Sequence, residues 1–305
     1  MKKLLASVLL TILVCLLISC SSFPLDYFDH GDGNEILTNS DIYMPGLGAE
    51  TISSDRVVVM DNELYSITVT EVAVDKRGAM DFKVHVVNKS PDKEYTFKLG
   101  KTLINGLQFD LLFSIYDVKP GKEGIETIRI YSSEVDFLKS EGMELLSDFE
   151  FFFEVYDSDH YLVEMDSAHV YPYGQDKAAV FTRKGKNSDK VLIDNEYVTL
   201  LYIGNEIGDS EGEYKDTTYR FYIINKSVLD IDFRASDVYL NDIKITYTLK
   251  AKIAAGQSTY GFIECYSFSL KELEIKDVNK IELDVYATID ETFSEVFRTT
   301  VEFNP

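Results

Sequence analysis

Phe82-Lys83-Val84-His85-Val86-Val87-Asn88-Lys89-Ser90 recurs 137 residues later as Tyr219-Arg220-Phe221-Tyr222-Ile223-Ile224-Asn225-Lys226-Ser227. In the first copy Phe82, Val84 and Val86 alternate with Lys83 and His85; in the second, Tyr219, Phe221 and Ile223 alternate with Arg220 and Tyr222. A period of two is the mark of a strand with one face buried and one face wet. Each copy then runs into Asn-Lys-Ser, a turn sequence whose short polar side chains bond to their own backbone.

Other anchors keep the same order. Met60-Asp61-Asn62-Glu63 returns as Ile193-Asp194-Asn195-Glu196, and Leu103-Ile104-Asn105-Gly106 as Tyr239-Leu240-Asn241-Asp242. Lys119-Pro120-Gly121 returns as Ala254-Ala255-Gly256, and Glu154-Val155-Tyr156 as Asp284-Val285-Tyr286. All offsets lie between 130 and 137, far longer than a solenoid repeat, so two whole domains are expected. Phe151, Phe153 and Val155 match Ile281, Leu283 and Val285 as further inward sets. Short helical turns are expected at Ser133–Asp136 and Ser269–Glu272. About seven or eight strands per copy without crossover helices predict an all-β chain of two antiparallel sandwiches. The expected domains are 56–173 and 190–305, joined by a linker at 174–189 in which Phe181 docks onto a domain.

Composition agrees with a globular chain and excludes some partners. The 305 residues are 45% hydrophobic and 27% charged. Lys and Arg number 30 against 52 Asp and Glu, for a net charge of −22. Neutralising phosphates needs clustered bases, so a nucleic-acid partner is not expected.

The N-terminus carries an address. Lys2 and Lys3 precede an apolar run from Leu4 to Ile18, about 22 Å long as a helix against about 30 Å of bilayer hydrocarbon. That length suits a secretion signal better than a membrane span. Leu17-Ile18-Ser19-Cys20 resembles the lipobox of bacterial lipoproteins. The resemblance implies that residues 1–19 are a signal peptide, that the Cys20 thiol is diacylglycerated, and that fatty acyl chains such as palmitate then anchor the chain extracytoplasmically on the bacterial membrane. Cys15 would leave with the signal, so Cys265 alone remains and no intrachain disulfide forms. Residues 20–55 read as an acidic tether, with Asp26, Asp29, Asp32, Glu35, Asp41, Glu50 and Asp55 and no Lys or Arg. Asp29 to Glu35 lacks the acidic residue that completes a calcium loop.

The paired modules, with their Asp-Asn openings, Asn-Lys-Ser turns and Asn-Gly or Asn-Asp turns, resemble the immunoglobulin-like domains of uncharacterised Gram-positive lipoproteins. The resemblance covers residues 56–305 and implies tandem immunoglobulin-like β-sandwiches. It implies no catalytic residue. The cores lack the Cys pair and Trp of antibody domains and must rest on Phe, Tyr, Ile, Leu and Val.

Little in the chain points to chemistry. His30 falls in the tether, His85 on an outward strand position, and His160 and His169 lack further donors at ligand spacing. Cys265 aligns with Ile130 and is expected to be a buried, inert thiol. No cofactor or metal is expected. The acidic loop Gly204 to Asp216 leaves weak calcium binding open. Phe152 occupies an outward position that Glu282 holds in the other copy, which makes it a candidate contact surface, toward the other domain or an outside partner. The expectation is therefore a non-catalytic surface module that binds an envelope protein, glycan or wall component. The alternatives are a structural or sensor subunit of an envelope complex, and a hydrolase with an acidic site.

Overall fold

The computed structural model describes residues 49–208, 212–289 and 292–305, which belong to one compact unit. Cys20, the expected signal peptide and most of the expected tether lie outside the described residues. The first copy comprises β1 (Glu50–Ser53), β2 (Val57–Asp61), β3 (Tyr65–Val74), β4 (Met80–Asn88), β5 (Tyr95–Ile104), β6 (Leu107–Phe109), β7 (Ser114–Val118) and β8 (Glu123–Ile130). Helix α1 (Ser132–Ser140), β9 (Phe149–Asp157) and β10 (Leu162–Val170) complete it. The second copy comprises β11 (Lys190–Asp194), β12 (Val198–Ile207), β13 (Thr217–Asn225), β14 (Ile231–Leu240), β15 (Ile243–Ile245), β16 (Leu249–Ile253) and β17 (Ser258–Cys265). It ends with α2 (Ser267–Glu272), β18 (Ile281–Ile289) and β19 (Glu295–Phe303).

Strand for strand, β2 to β10 recurs as β11 to β19, and the pairing recurs with it. β3-β4-β8 form one sheet of the first module and β10-β9-β5 with β7 the other; β12-β13-β17 and β19-β18-β14 with β16 repeat this in the second. In immunoglobulin lettering this is A-B-E against G-F-C-C′, so both modules are immunoglobulin-like antiparallel sandwiches. The first sheet reaches into the segment expected to be tether. Glu50–Ser53, within the expected tether, forms β1 and pairs with β3.

The residues that reveal the duplication are structural. Asn62 and Asn195 each accept two backbone amides, from Leu64 and Tyr65 and from Tyr197 and Val198, at 2.8–2.9 Å. Asn88 and Asn225 are fully buried. Asn88 donates to the Lys93 and Val118 carbonyls, and Asn225 to those of Leu229 and Ile253. Each ties a strand end to two other segments, because an amide side chain can both donate and accept. The Asn105-Gly106 and Asn241-Asp242 turns have positive φ at both residues, the primed hairpin geometry that matches strand twist. Here Asp242 adopts the left-handed backbone that glycine supplies in the first copy.

Burial follows the alternation. Phe82, Val84, Val86, Phe151, Phe153 and Val155 are fully buried in the first core; Phe221, Ile223, Ile281, Leu283 and Val285 are in the second. Aromatic packing stands where a disulfide and Trp would sit. Phe82 meets Phe149 and Phe151 across the sandwich at 4.6 and 5.0 Å between ring centres.

The two modules are joined in one sheet. β6 and β17 share a parallel bridge at Gln108 and Thr259, so β10-β9-β5-β6 continues into β17-β13-β12-β11. This junction changes the meaning of "outward" on β13. Tyr222 points away from its own core and is still buried, against Tyr260 and the first module. Arg220 was expected to be a free outward side chain like Lys83. Instead its guanidinium lies 4.8 Å from the Phe137 ring of α1, and burial lowers its pKa. Lys83→Ala is expected to change stability by no more than about 0.5 kcal/mol. Arg220→Ala is expected to cost about 1–2 kcal/mol through lost ring contact and packing. Urea melts of the two variants check this, and equal midpoints would contradict the junction.

Residues 174–189 do not hang free. Phe181 packs on the first core, and its amide donates to the Asn105 carbonyl at 2.7 Å. Arg183, only 2% exposed, donates to Glu141 at 2.7 Å and to both oxygens of Asp189 at 2.7 and 3.0 Å. Lys186 adds a bond to Glu141 at 2.7 Å. The Arg183 guanidinium also sits 5.4 Å from the Tyr222 ring centre. The connecting segment is thus bonded to the end of α1 and faces the second module.

Candidate functional site: a groove between the modules

Where β6 meets β17, the modules leave a groove of about 610 Å³. Gln108 is its floor, buried and bonded at both ends of its amide. The amide nitrogen donates to the Lys252 carbonyl, and the amide oxygen accepts from Ala254 N at 3.1 Å. The Gln108 carbonyl also accepts the Thr259 hydroxyl at 3.0 Å. One side chain therefore sets the spacing of the two walls.

The first wall is the outer face of β5, β9 and β10. Alternation along β9 points Phe152 and Glu154 outward while Phe151 and Phe153 enter the core. The strand register aligns Lys101 with Phe152, and Lys98 with Glu154 and Met165. Lys101 Nζ lies 4.1 Å from the Phe152 ring centre. Gly100 interrupts that register. A Cβ there would fall 2.3 Å from Glu154 Oε1, so glycine lets Glu154 lie across the strand. Leu162 and Met165 of the edge strand are exposed at the rim.

The second wall comes from the β14 and β16 region of the other module. Asp232 and Arg234, two apart on β14, face the same way and pair at 2.9 Å; this bond holds Arg234 above its ordinary pKa. Asp230 accepts Ala255 N at 2.9 Å, and Lys250 stands exposed beside them. Asp110, on the loop after β6, has no ion-pair or hydrogen-bond partner among the described residues. Its own surface is open to the groove, yet protein mass around it raises its pKa through desolvation.

Phe152, singled out from its strand position, lines a groove whose walls come from both modules. Gln108, Lys101 and Lys250 carried no sequence signal, because their partners are over a hundred residues away or across a sheet. The other expected site residues fall elsewhere. Cys265 is buried, and its thiol is pushed up to about 12 by burial, as an inert core residue should be. His85 bonds Glu123 at 2.9 Å, and His169 bonds Asp148 at 2.7 Å while stacked on Tyr171. In the loop Gly204 to Asp216, Glu206 pairs with Arg220, Glu213 with Lys276 at 2.6 Å, and Asp216 accepts Ser267 N at 2.6 Å. Residues 209–211 of that loop lie outside the described residues. Among the described residues, no group of three or more His, Cys, Asp or Glu could hold a metal ion, and no helix is long and apolar enough to cross a membrane.

No family model matches the chain, and no curated protein matches it. Among solved structures, red sea bream transglutaminase aligns with 81% of this chain and 30% of its own, at 10% identity and a TM-score of 0.21. A structure named pT26-6p aligns with 82% of this chain and 65% of its own, at 8% identity and a TM-score of 0.22. This chain spans less than two thirds of either. At scores that low neither likeness bears on function, and the immunoglobulin-like assignment rests on the strand pairing.

Proposed function

We propose that this chain is a lipid-anchored surface protein on the extracytoplasmic side of a bacterial membrane, and that it binds an envelope component without catalysing a reaction. The groove carries the binding half of this reading. It lies between two modules sharing one sheet, and it presents Phe152 together with charged groups of both signs. Gln108 fixes the spacing of its walls through its bonds to Lys252 and Ala254 of the second module. The anchoring half rests on Leu17-Ile18-Ser19-Cys20 and the short apolar run before it.

Two measurements test the halves separately. Cys20→Ser is expected to abolish incorporation of a fatty-acid analogue, and equal labelling of both chains would reject the anchor. Residues 38–305, the compact unit without the proposed anchor, are expected to be retained on isolated envelope material, and Phe152→Glu in them to lose that retention. Undiminished retention would remove the groove as the binding site.

A further inference from the structure

We draw no further inference here: the strongest candidate, the edge of β8 at the end of the first module's sheet, which corresponds to the β17 edge that receives β6, carries none, because the junction residues Tyr222 and Tyr260 are matched there by His85 and Ile125 and nothing in the structure shows what covers it.

Discussion

Arg183→Leu is expected to cost about 3–5 kcal/mol of stability, because it takes the cation from buried Asp189 and leaves buried Glu141 with Lys186 alone. Arg183 is 2% exposed, and Glu141 and Asp189 are 6% and 8% exposed. The wild-type trio is well bonded, with Arg183 donating three times to the two acids. Leucine would fill most of the volume and satisfy none of the oxygens. The loss should carry a pH signature. Hydrogen bonds from Arg183 hold the Asp189 carboxyl below its ordinary range, so the folded chain binds that proton less tightly than the unfolded chain. A depressed folded pKa contributes stability that is fully present above the ordinary carboxylate range and is lost as pH falls through the folded value. In Arg183→Leu that acid-dependent loss is expected to vanish, since protonation then relieves an unpaired charge. Urea melts between neutral pH and the acid limit of folding measure both effects. A variant within about 0.5 kcal/mol of wild type would show that the connecting segment is not anchored as described.

Truncating the aromatic core should cost as much. Phe153→Ala is expected to lose about 3–5 kcal/mol, from burial given up and from a cavity that stiff neighbours cannot fill. Phe153 is fully buried and meets Phe113 edge-to-face at 5.4 Å. Phe221→Ala, in the second core, is expected to match it, with Tyr202 and Phe303, which also pack on each other, as the rings that lose a neighbour. Val84→Ala and Leu283→Ala should fall at about 2–3 kcal/mol, at the lower end for deleted aliphatic groups. The neighbour Phe152 is the control. It is one residue from Phe153 and on the other face, so Phe152→Ala should cost much less. A register slip by one residue would exchange the two results, because strand side chains alternate faces.

Both cores were legible because a strand's period of two is a local property, and two copies of the chain repeat it. Val84 and Phe221, or Phe153 and Leu283, can be assigned to an interior from their immediate neighbours. The short helices after β8 and β17 were legible for the same reason, though α1 runs to Ser140, beyond the turn expected at Ser133–Asp136. The same rule failed at Arg220 and Tyr222. Alternation says which face of a strand a residue is on, but it does not say whether another module covers that face.

By itself the amino-acid sequence determined the duplication, the sandwich class, the inward residue sets and the turns at Asn105 and Asn241. Each of these depends on contacts within a strand, a hairpin or a single module. Only the tertiary structure decided that β6 joins β17, that Arg183 is buried between two acids, and that Lys101, Phe152, Gln108 and Lys250 meet at one groove. Those juxtapositions depend on the relative placement of two modules, where Gln108 reaches Lys252 across 144 positions of chain. Nothing in the spacing of residues along either copy encodes it, since the two copies are alike and the junction between them is not.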